Sequence, residues 1–161
     1  MIKTVLITLS SLFVFQACVD YQDDPLCSEY EYLTFEKLRK SVIVQDPKEI
    51  EERGKITIYE DLLFINEPNQ GVHIIDNHNK ENPIAKAFIK IPGNIDTAVK
   101  DGYLYVDSFM DLVIIDIRDI NKIKEIQRKK DLFVYDEFID YDIIDECGYD
   151  IDSGVIIKAK K

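Results

Sequence analysis

The sequence predicts an all-β domain of two to three antiparallel four-stranded units behind an N-terminal signal helix. Between Lys55 and Ile126, short runs of β-branched and aromatic residues alternate with Gly, Pro, Asn and Asp, the residues that close turns. That series of runs occurs twice, at a spacing of about 40 residues. An apolar leader precedes it. Apolar residues make up 46% of the chain and aromatics 11%, enough for one domain with a buried core.

The leader opens on Met1-Ile2-Lys3, and Thr4 to Phe15 carry no charge. This stretch is roughly a dozen residues long, whereas a helix needs about 20 to cross a bilayer. It is therefore expected to target the chain and then be removed. Phe15-Gln16-Ala17-Cys18 places a small residue directly before a cysteine at the end of the apolar run. That arrangement resembles the lipobox of bacterial lipoproteins, with Gln16 departing from the commonest pattern. The resemblance implies cleavage before Cys18 and acylation of its sulfur and amine; an ordinary signal peptide cleaved near Ala17 is the alternative. Buried acyl chains contribute about 0.8 kcal/mol per methylene, so the membrane becomes an expected partner through a lipid anchor.

Residues 1–17 are thus the expected signal peptide, 18–29 a lipidated flexible tether, and 30–161 the β-rich domain. Val19 to Pro25 are too polar and acidic to bury a core of their own. Gln22-Asp23-Asp24 resembles the acidic export signal of Bacteroidetes-type lipoproteins, which implies an outer-membrane, surface-exposed address in the cell envelope. A plain solvated linker explains the same residues.

A net charge of −11 opposes binding to nucleic acid or to anionic lipid headgroups. The basic clusters, Arg128-Lys129-Lys130 and Lys158 to Lys161, read as solvated strand edges or ends. Apart from Cys18, the cysteines are Cys27 and Cys147. An oxidising envelope would allow them to pair, and closing so long a loop stabilises by roughly 4 to 5 kcal/mol in the loop-entropy account.

The first set of runs is Lys55–Tyr59, Leu62–Asn66, Val72–Asp76 and Ala87–Ile91. The second is Ile95–Val99, Tyr103–Asp107, Leu112–Asp116 and Ile123–Ile126. Leu62 to Asn66 align with Tyr103 to Asp107, and Gly71 to Asp76 with Asp111 to Asp116. A four-strand unit with a period of about 40 residues is that of a β-propeller blade. Leu112-Val113-Ile114-Ile115-Asp116, with Tyr103-Leu104-Tyr105-Val106 before it and Pro92-Gly93-Asn94-Ile95-Asp96 between the sets, resembles the LVIVD repeat of bacterial lipoproteins. The resemblance spans about Ser41 to Phe133 and implies propeller-type blades. Asp76 and Asp116 close their strands, where a carboxylate accepts turn N–H groups.

A closed propeller typically needs at least four blades, and about 40 residues per blade leaves room for three at most after Cys18. An incomplete or open propeller is therefore expected, with bare blade edges that invite self-association. Tyr30 to Val44, with Leu33, Phe35 and Leu38, is the expected cap at one end. Leu132 to Lys161 is the other, its apolar pairs including Phe133-Val134, Ile143-Ile144 and Val155-Ile156-Ile157 suiting two or three antiparallel strands.

The acidic residues between those pairs, Asp140 and Asp142 among them, form a possible calcium site, calcium being the one cofactor the sequence suggests. Guarding an exposed edge with charge accounts for them equally. No catalytic set is selected: His73 sits inside an apolar strand and His78 in a turn, and no nucleophile or phosphate-binding motif is present. The expected function is that of a membrane-anchored extracytoplasmic module, binding a protein or glycan through blade loops and exposed aromatics such as Tyr103 and Tyr105. A calcium-dependent or glycan-processing enzyme, and a truncated, inactive relative of a longer propeller protein, are the alternatives.

Overall fold

The computed structural model describes residues 25–134 and 141–158. The leader with Cys18, Asp140 and the side chain of Asp142 lie outside the described residues. In chain order the described elements are β1 (Tyr30–Thr34), α1 (Phe35–Leu38), β2 (Ile43–Gln45), β3 (Ile56–Tyr59), β4 (Leu62–Glu67), β5 (Gly71–Asp76) and β6 (Ile84–Lys90). They continue through β7 (Thr97–Lys100), β8 (Tyr103–Ser108), β9 (Asp111–Asp116), β10 (Lys124–Lys129), α2 (Tyr141–Cys147) and β11 (Gly154–Lys158). The fold is all-β, with three antiparallel sheets.

Each repeated series of runs becomes one antiparallel meander. The first sheet has the order β2-β6-β5-β4-β3 and the second β10-β9-β8-β7. Tight turns make adjacent pairing possible: Lys100 lies opposite Tyr103 across Asp101-Gly102, whose φ angles are 53° and 77°. A Cβ on Gly102 would come within 2.4 Å of the Arg118 side chain, so glycine is required there for both backbone angle and space.

The repetition extends below the level of side-chain identity. Asn77 donates its N–H to the Asp61 carbonyl, and Ile117 does the same to Gly102 at the matching place. Asp76 Oδ1 accepts from the His78 N–H at 3.0 Å and Asp116 Oδ1 from the Arg118 N–H at 3.1 Å, so both aspartates end their strands in Asx-type turns. Register shifts occur at Lys86 in β6 and at Ile126 in β10, against equivalent residues of β5 and β9. Lysine and isoleucine share no sequence signal, yet both occupy the extra position of a bulge.

Alternation along the strands divides each sheet into two faces. The inner face of the first sheet carries Phe64, Val72, Ile74 and Ile89, all fully buried. They pack on Leu104, Val106, Val113 and Ile115 of the second sheet in one continuous core. At about 25 cal/mol per Å² of apolar surface removed from water, this face-to-face contact is the main stabilising term. β3 lies beside β7, where the Thr57 hydroxyl donates to the Thr97 carbonyl and Lys55 pairs with Asp96 at 2.5 Å.

Parts of the two expected caps form one unit, whereas Ile43 and Val44 of the first join the first sheet as its edge strand β2, and Phe133-Val134 of the second, expected in a strand, lie in none. β1 pairs with β11, bringing the ends of the described chain together. Leu38 of α1 and Val155 of β11, both fully buried, close over Met110 in the β8–β9 turn. Cys27 and Cys147 form a disulfide with Cα atoms 5.6 Å apart. Ile143-Ile144, expected in a strand, belongs to helix α2. Ile143 and Cys147 are four apart and lie on one helical face, which is buried with Cys27 against Tyr30 and Tyr149. Cys27–Glu29, expected within the flexible tether, form a single 3₁₀ turn with Cys27 buried.

Replacing both Cys27 and Cys147 by serine is expected to destabilise the domain by about 4 to 5 kcal/mol, because the bridge spans 120 residues. Urea unfolding would read this as a lower midpoint, and amide exchange should show β1 and β11 losing protection before the two larger sheets.

Candidate functional site

Among the described residues, the second sheet has one covered face and one open face. Tyr103, Tyr105 and Asp107 of β8 lie opposite Asp116, Ile114 and Leu112 of β9, on the side turned away from the first sheet. All six are only partly buried, whereas the alternating residues Leu104, Val106, Val113 and Ile115 are buried. The open face hollows into a cleft of about 500 Å³ whose walls include Ala98, Tyr105, Phe109, Leu112, Phe133 and Val134. Asp96 and Asp107 form its acidic end.

Both sequence-predicted tyrosines are on this face, in different roles. Tyr105 lines the cleft. Tyr103 is engaged by the Arg118 guanidinium, 5.0 Å from its ring centre, and Arg118 is held in turn by Asp116 at 2.7 Å. That ion pair holds the Asp116 carboxyl at a pKa of about 2, well below the ordinary aspartate value.

Asp107 anchors the turn between the sheets. Its carboxylate accepts from the backbone N–H groups of Ile95 and Asp96 at 3.0 and 2.8 Å and from Asn94 Nδ2 at 2.8 Å. Burial nevertheless pushes its carboxyl up, outweighing those bonds. Asn94 is fully buried and Thr97 nearly so. Among the described residues, Asn94 Oδ1 and Thr97 Oγ1 have no hydrogen-bond partner.

Phe109 forms another wall. Its φ of 53° is unusual for a bulky side chain, and Gly93 leaves room for its ring, since a Cβ there would fall 2.3 Å from it. Backbone strain of this kind costs of order 1 to 3 kcal/mol. Phe109, partly buried, packs beside Leu38 and Met110.

Two buried ionic clusters flank these features without opening onto the cleft. On the outer face of the first sheet, the buried Glu67 carboxylate takes Lys48 Nζ at 2.8 Å and His73 Nε2 at 2.8 Å. Both His73 and Lys48 lie against the Phe88 ring. His73 is 3% exposed, so the pair is closed to any substrate and straps the segment before β3 onto the sheet. His78 is exposed and lies 3.3 Å from Asp61.

The second cluster joins the terminal unit to the second sheet. Asp111, with no exposed side-chain surface, accepts from Arg39 at 3.0 Å, from Arg128 at 3.2 Å and from the Asp131 N–H at 3.0 Å. Burial raises its carboxyl, but the bonds from Arg39, the Asp131 N–H and Arg128 prevail, and it lies below the ordinary aspartate value.

Among the described residues no group of three or more His, Cys, Asp or Glu side chains is placed to hold a metal ion. No helix among them is long and apolar enough to cross a membrane. Asp107, Phe109 and the Leu112 and Ile114 side of β9 escaped sequence reading, because an apolar run gives no sign of which face lacks a neighbour. The alignment of Asp107 with Asn66, both ending the second strand of a set, was the available hint of a polar anchor. Comparison with protein-family models, with curated proteins and with solved structures returned no match.

Asp111→Ala is expected to cost about 1 to 3 kcal/mol in urea unfolding, since it removes the bonds to both arginines while Arg39 keeps Asp131 and Arg128 keeps Glu125. The pH dependence has a definite sign. The Asp111 carboxyl is depressed in the fold, so its contribution is complete above the unfolded value of about 4 and is lost as pH falls through the lower folded value. Acid titration of stability should show that loss in the wild type and a shallower slope below about pH 4 in Asp111→Asn.

Proposed function

We propose that this chain is a non-enzymatic interaction module of the bacterial cell envelope, anchored in the outer membrane by lipid on Cys18, with its two large sheets as consecutive propeller-type blades. The observation that carries the binding assignment is the open face of the second sheet. It combines apolar side chains at positions that the first sheet buries completely with an acidic end at Asp96 and Asp107.

Such a face suits a protein segment bearing an apolar side chain beside a cationic one. The apolar group displaces water from the walls formed by Tyr105, Leu112 and Phe133, while the cation meets the carboxylates. The closed His73–Glu67 pair supports a binding role over a catalytic one, because a general base must reach its substrate. The lipid assignment is supported by the leader sequence ending in Ala17-Cys18.

Two measurements test this reading. An environment-sensitive apolar dye should bind the wild type, and Leu112→Asp should weaken that binding about tenfold, roughly 1.4 kcal/mol; unchanged dye binding would remove the cleft from the assignment. Metabolic labelling with palmitate should mark the wild type and not Cys18→Ser. An unlabelled wild type would remove the anchor.

A further inference from the structure

The two sheets share one plan as far as the last strand of each repeat and differ beyond it. Val72 lies opposite Ile89 of β6, and its equivalent Leu112 lies opposite Lys129 of β10, so β6 and β10 hold the same place in their sheets. The first sheet continues past β6 into β2, with Ile43 opposite Lys90, Val44 opposite Ile89 and Gln45 opposite Phe88. Among the described residues, no strand lies beyond β10 in the second sheet. Carried across the repeat, the place of Val44 is opposite Lys129 and that of Gln45 opposite Arg128. The place of Ile43 falls at Lys130, just past the end of β10.

The way β2 is held shows what this edge can do. All three of its residues are exposed, Ile43 at 49% and Val44 at 42%, so burial of their side chains contributes little. The main-chain ladder to β6 is what recruits the strand. An edge strand turns alternate N–H and C=O groups outward, and β10 does so without cover. Every residue from Lys124 to Lys130 except Arg128 is exposed.

We propose that β10 takes an added strand from a partner protein, antiparallel and in the place that β2 holds on β6, and that this strand is acidic where it passes Lys129 and Lys130. Charge on the edge specifies the partner. Opposite charges directly across a strand pair stabilise it, whereas like charges oppose it. Two such edges set against each other would bring lysine to lysine, so the same side chains that admit an acidic strand reject a second copy of β10. Arg128 asks for no charge opposite it, because Asp111 at 3.2 Å and Glu125 at 2.9 Å already hold it. The register shift at Ile126 bends the strand and confines the usable edge to its end from Gln127 onward. Among the described residues none of β10 lines the cleft, so this surface stands apart from the one described above.

A fluorescent peptide of about six residues, two adjacent glutamates followed by alternating valine and threonine, tests the proposal. It is titrated into the chain from residue 19 onward, which contains every described residue, with anisotropy to read binding and amide exchange to locate it. The peptide is expected to bind and to slow exchange within Gln127 to Lys130. Reversing both exposed charges, Lys129→Glu with Lys130→Glu, should weaken it at least about tenfold. That variant should instead take the peptide with lysines in place of its glutamates, and thermal melting shows that it is folded.

The same glutamate peptide with N-methyl groups on its internal amides keeps its charge and loses its ladder, and it should not bind. Equal binding of the methylated peptide overturns the added strand, because charge alone would then account for the attraction. Binding that survives the double charge reversal, or that leaves the β10 amides unprotected, overturns the site. A glutamate peptide that fails to bind at concentrations up to about a millimolar overturns the proposal as a whole.

Discussion

The structure depends on one apolar contact, the packing of Phe64, Val72, Ile74 and Ile89 on Leu104, Val106, Val113 and Ile115. An isolated four-stranded meander with two apolar faces cannot shield both from water. Setting two of them face to face solves half of the problem for each. The contact has no special chemistry, and its strength comes from area and close fit. Its consequence is geometric: a stack of two sheets has two outer faces, and each must be covered by something else or left as a surface for use.

The chain treats those outer faces differently. On the first sheet, the segment between β2 and β3 lies across part of the face, held by Lys48 against buried Glu67 and the Phe88 ring. A buried ion pair of this kind is weak as a source of stability, but it is selective, because any other placement of the segment would take Lys48 away from the buried Glu67. On the second sheet the terminal unit sits over the β8–β9 turn, with Asp111 holding Arg39 and Arg128. It covers the end of the sheet and leaves the open face of β8 and β9 only partly buried.

Joining the ends of the described chain also changes how the two-sheet stack is finished. Separate polar caps would protect each end of the stack. Here β1 and β11 pair with each other, the disulfide ties them to α2, and the resulting unit seals one corner. Exposed Ile56 and Ile58 coexist with this well-packed interior.

The sequence by itself determined the strands, their order and their doubling. Alternating apolar residues, turn residues and a period of about 40 are local signals, and the eight repeat strands fall within a few residues of where those signals place them. It also marked Asp76 and Asp116 as turn closures. What it could not decide was anything set by distant partners. Ile143-Ile144 reads as a strand pair, but the disulfide and Tyr149 capture that segment as a helix. His73 reads as packing within an apolar run, yet its partner is a carboxylate six residues away in sequence and across a strand pair. Above all, Leu112 and Val113 look alike in the chain, and only tertiary packing makes one a wall of the cleft and the other part of the core, because burial is decided by which face of the sheet meets a neighbour.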